Sequence, residues 1–371
     1  MADSAGLRVL FLDTITKWGG GQKWCVDAGA ALRKRGHRVV VACERGSPLE
    51  LRSREAGVET WPARFLPLGW LLSVPRLARF LRREKIEVII GNVGRDLWIG
   101  ALACGISGAR LLQRRGIARP VKAGPLTRWL YTRAVEKIIV NSLAIRDSMR
   151  SGADFLDDSR FVHIPNGVDT GALRPGNRDG LRAELGVGAE APLAGCVGRL
   201  AAMKGHEFLL RAWPLVRARL PSAMLIIVGE GEQKEALEKL SLELCLGGSV
   251  RFLGFRSDVA AVLDAVDLLV LPSVRDEGCN NSLLEAMACG RAAVVTRCGG
   301  LPDMVVEGET GLVVPPRDRD SLADAVARLL ERPEERARMG GAARRVVEER
   351  YSLEAATDLL EDLLDSFREK P

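Results

Sequence analysis

Aromatic residues make up only 5% of this 371-residue chain, and it contains three histidines. The core it can build is therefore aliphatic. None of its eight cysteines, Cys25, Cys43, Cys104, Cys196, Cys245, Cys279, Cys289 and Cys298, forms a Cys-x-x-Cys pair. With so few histidines, no zinc-binding spacing exists. Cys43 and Cys196 lie inside apolar runs, where a free thiol behaves as a small hydrophobe. The set reads as reduced, as in a cytoplasmic protein. No uncharged apolar run approaches the ~20 residues that span a bilayer. The N-terminus runs into Leu7–Leu12 without the basic region and small-residue cleavage site of a secretory signal. The expected location is the cytoplasm, with room for peripheral attachment to the inner face of the cytoplasmic membrane.

The length suits two domains better than one core. Charge divides along the chain. Residues 1–180 carry 30 Lys+Arg against 17 Asp+Glu, whereas residues 181–371 carry 24 against 31. A basic half beside an acidic one points to an anionic partner for the first half, such as lipid, a phosphorylated acceptor or nucleic acid.

Unbroken apolar runs mark strands buried on both faces. In the first half they are 8–13, 38–43, 58–62, 88–92, 110–113, 137–141 and 161–165. Helix-period segments lie between them at 24–35, 75–85 and 125–135. The second half repeats the scheme, with strands at 193–197, 224–228, 250–253, 268–271 and 293–296. Its helices fall at 206–219, 233–246, 259–265, 282–288 and 321–332. Alternation of this kind means parallel sheets with right-handed crossovers. Turn residues over 169–180 mark a linker, and 334–370 reads as amphipathic helix. The expected fold is α/β, with two doubly wound Rossmann-like domains facing across a cleft. The first domain spans 1–175 and the second 176–350. A final helix, 351–371, would return to the first domain. Such sheets bind ligands at the carboxyl ends of their strands.

Three segments carry chemistry. Gly19-Gly20-Gly21, between the first strand and the first helix, lets backbone approach an anion at a helix N-terminus, and equally makes a tight turn. Arg199 and Lys204, in Gly198-Arg199-Leu200-Ala201-Ala202-Met203-Lys204-Gly205, are spaced to point together into the loop's concavity, where two cations suit a diphosphate. Asp276-Glu277-Gly278-Cys279-Asn280-Asn281-Ser282 leads into a helix for which Asn281 is a candidate N-cap. Glu277 and Glu285 would reach sugar hydroxyls, with the amides of residues 278–281 between them.

These stretches resemble the family 4 retaining glycosyltransferases, of GT-B fold (glycosyl transferases group 1). The matches are Gly198-Arg199 with Lys204-Gly205, Val228-Gly229-Glu230-Gly231, Phe252-Leu253-Gly254-Phe255 and Glu277 with Glu285. Gly299-Gly300-Leu301-Pro302-Asp303 and Gly311-Leu312-Val313-Val314-Pro315-Pro316 complete them. The first half is similar more loosely, through the glycine loop, Arg35-Gly36-His37 and Ile164-Pro165-Asn166-Gly167-Val168-Asp169.

The resemblance implies that Arg199 and Lys204 hold the donor diphosphate and that Glu285 binds the nucleotide ribose. Glu277 would take sugar hydroxyls, and the amides of Cys279, Asn280 and Asn281 the sugar and distal phosphate. Gly20, with Gly19 or Gly21, would approach the diphosphate. Gly254-Phe255-Arg256 would lie near the base. Gly198, Gly229, Gly278 and Ser282 belong to the same donor-binding stretches. Many members carry a first-domain histidine facing the sugar. Here the matching stretch, Leu111-Leu112-Gln113-Arg114-Arg115-Gly116, has none. Asn92, Gln113, Arg114 and Arg115 are the acceptor-side candidates in its place.

The resemblance further implies a hexosyl transfer with retention, from a nucleotide-diphosphate sugar to a glycan, phosphorylated or lipid-linked acceptor of the cell envelope. The fixed cations make a metal cofactor unnecessary, and Asp318-Arg319-Asp320 reads as helix capping rather than as a metal motif. Basic residues over 110–137 with Trp129 and Tyr131, and an exposed-looking apolar stretch of Trp61, Phe65, Leu66, Trp70, Leu71 and Leu72, suit an anionic membrane face. A nucleotide-sugar 2-epimerase on the same fold and a non-catalytic partner subunit are the alternatives. No recognised nucleic-acid module is present.

Overall fold

The computed structural model describes residues 6–65 and 69–368, with the backbone alone for 69–71. Its contacts divide the chain into two units, Met1–Gly167 with Leu353–Pro371, and Val168–Ser352.

The first unit runs β1 (Arg8–Asp13), α1 (Gly20–Lys34), β2 (Arg38–Glu44), α2 (Pro48–Glu55), β3 (Glu59–Ala63), α3 (Gly69–Arg83), β4 (Val88–Gly91) and α4 (Gly94–Ser107). It continues with β5 (Arg110–Arg115), α5 (Pro125–Trp129), one π turn (Leu130–Ala134), β6 (Val135–Val140), α6 (Leu143–Ser151) and β7 (Phe161–His163). Its strands form one parallel sheet in the order β3-β2-β1-β4-β5-β6-β7. Side chains alternate across it. Leu10, Leu12, Val40 and Ala42 enter one apolar layer, and Val9, Phe11, Val39 and Val41 the other.

The second unit runs α7 (Asp179–Glu184), β8 (Leu193–Val197), α8 (His206–Arg219), β9 (Met224–Val228), α9 (Lys234–Glu243), β10 (Val250–Gly254), α10 (Val259–Ala265) and β11 (Leu268–Leu271). It ends with α11 (Asn281–Ala288), β12 (Ala292–Thr296), α12 (Leu301–Met304), β13 (Gly311–Val314), α13 (Arg319–Glu331) and α14 (Pro333–Arg350). The parallel sheet is ordered β10-β9-β8-β11-β12-β13. Both sheets thus grow outward in two directions from a central pair, β1/β4 in one and β8/β11 in the other, the doubly wound pattern.

Strands β8, β9 and β11 have the bounds expected from their apolar runs. β13, α2, α4 and α6 were not anticipated. The helix expected over 125–135 ends as a π turn. The 334–370 segment is broken at Tyr351-Ser352, where Ser352 pairs with Val168. The chain leaves the first unit at Gly167, ahead of the linker expected at 169–180, because that segment is bound to the second unit. Arg344 donates to the carbonyls of Thr170 and Leu173, and Gly176 N–H donates to Asp264. Asp318 caps α13, accepting from Ser321 N–H at 3.0 Å.

The last helix, α15 (Leu353–Asp365), belongs to the first unit and packs on α1. Leu360, Leu363 and Leu364 are buried in the α1-side layer. A polar clasp fixes the contact. Leu7 N–H donates to His37 Nδ1 at 3.1 Å, so the ring carries its proton on Nε2 and donates it to Glu361 Oε1 at 2.7 Å. Arg35 donates to the other Glu361 oxygen at 2.7 Å. The bond from His37, then that from Arg35, holds the Glu361 carboxyl below its ordinary pKa. Stability from a depressed carboxyl is complete above its ordinary pKa and is lost as pH falls through the lowered folded value. Glu361→Gln is therefore expected to cost about 1–2 kcal/mol at neutral pH. It should also flatten the acid limb of a urea-denaturation series, making the two proteins converge below the ordinary carboxylate range.

Candidate active site

In the second unit the loops after β8 and β11 meet at the point where the chain turns outward in both directions. Gly198 N–H donates to Val228 O and Leu200 N–H to Glu230 O, both at 2.9 Å. These bonds lay the loop after β8 against the loop after β9. A Cβ on Gly229 would stand 1.9 Å from Gly198 O, so only glycine permits that approach. A short 3₁₀ turn, Ala202–Lys204, follows, and Gly205 takes φ +66°. A side chain there would strike Pro272 O at 2.1 Å, and Val274 N–H donates to Met203 O at 2.9 Å. The two loops are in this way locked together.

The lock places Lys204 Nζ 2.6 Å from Glu277 Oε1. Ser273 Oγ donates to the same oxygen at 2.5 Å, and Asn280 Nδ2 to Oε2 at 3.3 Å. Glu277 is 4% exposed. A carboxylate has about four acceptor sites, so Oε1 is filled while Oε2 keeps capacity for one more donor. Gly300 N–H donates to the Glu277 carbonyl at 3.2 Å, and Thr296 Oγ1 to the Ser273 carbonyl. Backbone and side chain of Glu277 are both fixed. His206, next to Gly205, is buried, and burial first and Lys204 second push its pKa to about 4. It is therefore neutral at working pH.

Asn280, not Asn281, caps α11. Its Oδ1 accepts from Leu283 N–H at 3.0 Å, and its extended backbone makes it the cap. Asn281, Ser282 and Glu285 are half-buried on the first turns, and Cys279 is buried. Arg199 lies apart from Lys204 in its bonding. It is 66% exposed and pairs with Glu232 at 2.8 Å, so the two cations expected side by side are held by different carboxylates. Gly254 has φ +68°, and Phe255 is an exposed aromatic next to it.

The first unit carries a second polar cluster at the ends of β1, β4 and β5. Asp13 ends an otherwise apolar strand and is fully buried. Its Oδ2 accepts from Gln22 Nε2 at 2.7 Å and Asn92 Nδ2 at 2.9 Å. Asp96 accepts from Thr14 Oγ1 at 2.6 Å and Val93 N–H at 2.8 Å, tying the loops after β1 and β4 together. Burial, and then the neighbouring Asp13 charge, push the Asp96 pKa to about 7. Arg114 is buried, stacks over Trp24 at 5.0 Å and donates to Asn166 Oδ1 at 2.8 Å. A Cβ on Gly21 would lie 3.5 Å from Arg114 Nη1 and 3.9 Å from Asn92 Nδ2.

Of the acceptor-side candidates, Asn92 and Arg114 therefore converge at the glycine turn. Gln113 and Arg115 do not, because neighbours along a strand point to opposite faces. Gln113 is buried beside Tyr131, and Arg115 donates to Arg119 O at 3.0 Å. The apolar stretch expected at the surface is corrected likewise. Phe65 is buried and Trp61 packs against it, while Leu72 is exposed. Leu66 and the side chains of Trp70 and Leu71 lie outside the described residues. Ser273, Asp13 and Asp96 are not singled out by the sequence, and Asn166 appears there only within the matching stretch 164–169. An aspartate ending an apolar run was the available signal for Asp13.

Residues 18–172 match the family described as Glycosyltransferase Family 4, and residues 177–346 match Glycosyl transferases group 1. The D-inositol 3-phosphate glycosyltransferase of Saccharomonospora viridis is 32% identical over 295 residues, covering 76% of this chain and 67% of that protein. The GDP-mannose-dependent alpha-(1-6)-phosphatidylinositol monomannoside mannosyltransferase of Mycolicibacterium smegmatis is 29% identical over 371 residues, covering 94% and 96%. The crystal structure of HepE from Anabaena, in complex with UDP and glucose, superposes with a TM-score of 0.86 at 23% identity, over 97% of this chain and 100% of that one. The fold is GT-B. The chain belongs to glycosyltransferase family 4 and is a glycosyltransferase.

The Lys204 turn depends on the Gly205 conformation. Gly205→Ala should cost about 1–3 kcal/mol, from a left-handed backbone and a collision with Pro272 O. Thermal denaturation reads the loss, and a melting temperature equal to the parent's would contradict the locked-loop geometry.

Proposed function

We propose that this glycosyltransferase moves a hexosyl unit, with retention, from a nucleotide-diphosphate sugar to a phosphorylated or lipid-linked acceptor of the cell envelope, without a metal cofactor. The observation that carries the reading is the pair of half-buried Lys204 with buried Glu277, on the loops after β8 and β11, beside the start of α11. A departing nucleoside diphosphate gains negative charge, and fixed cations stabilise it as a metal otherwise would. Lys204 supplies that charge as an ammonium with three donors, of which Glu277 engages one. Arg199, on an exposed pair with Glu232, is free to exchange that partner for phosphate at little cost, since such pairs are weak.

Glu277 suits hydroxyl binding better than nucleophilic attack. Three donors already orient it, and its remaining capacity on Oε2 fits one sugar hydroxyl. Retention then proceeds by attack on the face the leaving group vacates, with the leaving phosphate taking the acceptor proton. Glu285, one turn into α11, serves the ribose, and the amides of Cys279 to Asn281 serve the sugar and distal phosphate. The glycine turn of the first unit, with Asn92 and Arg114, serves the acceptor and the diphosphate. Two relatives act on inositol carrying a phosphate, according to their names, which favours a phosphorylated acceptor here.

A thermal-shift screen of UDP, GDP, ADP and CMP, and then of their sugars, should pick out one base by a concentration-dependent rise in melting temperature. With that donor, Lys204→Ala should lower kcat by about 10²–10³, whereas Glu285→Ala should mainly weaken nucleotide binding. A folded Lys204→Ala protein with unchanged turnover would sink the charge argument.

A further inference from the structure

Helix α4 is unlike the other helices of the first sheet. From Leu97 to Ala109 the sequence holds no charged residue. A helix apolar on every side is ordinarily buried on every side. Here Leu97, Ile99, Ala101 and Ala103 are buried, but Leu102 and Ile106 are 42% and 45% exposed. With Trp98 they form an i, i+4, i+8 stripe along the outer face. The stripe does not stop at the helix end. Trp98 stacks on Trp129 of α5, with ring centroids 6.2 Å apart and planes 11° apart. Trp129 is 46% exposed, and Leu126, one turn earlier on the same short helix, is 71% exposed. Helix α5 buries none of its side chains. Trp98, Leu102, Ile106, Leu126 and Trp129 thus make one apolar strip across two elements, larger than the scattered hydrophobes usual on a monomer.

Charge says what covers it. Between Val93 and Ala134 the one acidic residue is Asp96, which is fully buried. The same span exposes Lys122, Arg128 and Arg133. Arg82 of α3, also exposed, reaches across to the Ile106 carbonyl. An apolar strip with tryptophans, flanked by cations from its own elements and from α3, matches the headgroup boundary of an anionic bilayer. At 14 residues α4 is too short to span, and no helix among the described residues is long and apolar enough to cross a membrane.

We propose that the α4–α5 strip is the surface by which the protein docks on an anionic lipid bilayer. The apolar side chains enter the interface and the flanking cations meet lipid phosphates. The strip leaves out the Trp61–Leu72 stretch that the sequence suggested, keeps Trp129 of the basic 110–137 segment it also suggested, and adds α4. The proposal rests on the reading of a lipid-linked acceptor for its purpose, but not for its test.

Full-length protein is sedimented with vesicles of phosphatidylcholine alone and of phosphatidylcholine with phosphatidylglycerol. Partitioning onto the anionic vesicles should be about tenfold stronger or more, and should fall as salt rises. The double variant Leu102→Glu/Leu126→Glu changes two exposed positions, so it should fold, melt like the parent and bind nucleoside diphosphate unchanged. Its partitioning should drop about tenfold or more. Equal partitioning of parent and variant, or none by the parent, overturns the proposal. So does a parent that is dimeric by light scattering and becomes monomeric in the variant, which would assign the strip to a second copy of the chain. Vesicle binding that persists while no nucleotide binds would instead count against the transferase reading alone.

Discussion

An amine and a carboxylate 2.6 Å apart, one delivered by the loop after β8 and the other by the loop after β11, organise the second unit. Parallel strands that grow outward from a central pair leave a crevice where the two connections part. Filling it with a buried ion pair is costly unless each charge has further partners. Ser273 and Asn280 provide them for Glu277. The close backbone approaches at Gly205 and Gly299 bring the loops near enough for the pair to form. A Cβ on Gly299 would stand 2.1 Å from the Glu277 carbonyl. The motif glycines are therefore conditions for the ion pair, and the ion pair is the condition for a fixed positive charge at the crevice.

The first unit solves the same topological problem differently. At its β1/β4 divergence two carboxylates, Asp13 and Asp96, lie buried close enough for one to raise the pKa of the other. Backbone amides and the Gln22 and Asn92 side chains satisfy them. Arg114 lies nearby and lowers the Asp13 pKa, against the larger effect of burial. That crevice is lined by neutral donors and two guanidinium groups, Arg114 and the Arg95 that donates to Thr14, whereas the other is built on a charge pair. Neutral donors that can rotate suit hydroxyl recognition; a fixed ammonium suits a phosphate whose charge changes during reaction.

The fold was legible because strands buried on both faces are unbroken apolar runs, and β8, β9 and β11 could be bounded to the residue. Elements without that contrast were not. β13 is four residues inside a glycine- and proline-bounded motif, and α4 lacks the polar face that gives a helix its period. The site was legible to the level of the loop and no further. Asn280 and Asn281 are equally good caps by composition, and only backbone dihedrals choose between them. Gln113, Arg114 and Arg115 form one polar cluster in sequence, but strand alternation sends the middle one to the glycine turn and its neighbours away. Arg199 and Lys204 are close in sequence, yet the 3₁₀ turn and Gly205 give them different carboxylates. Ser273 carried no signal, since a serine after a strand is ordinary until its hydroxyl is seen on Glu277.

The same contrast explains why α4 escaped the sequence reading and why it bears on function. A helix needs one apolar face to fold against its sheet, and Leu97, Ile99, Ala101 and Ala103 already supply it. Charged residues on the opposite face would cost the fold nothing and would improve solubility. No charge falls on thirteen consecutive positions of a chain whose charged content is 27%, and at the exposed ones, Leu102 and Ile106, packing within the first unit does not call for an apolar side chain. The tryptophan stack points the same way. Trp129 reaches Trp98 from a five-residue helix that buries nothing, so the contact extends an apolar surface rather than closing one. Basic charge that is dispersed over a domain does not orient it on a lipid surface; basic charge flanking an apolar strip does. The excess of cations in the first half of the chain thus acquires a direction from the apolar residues it surrounds.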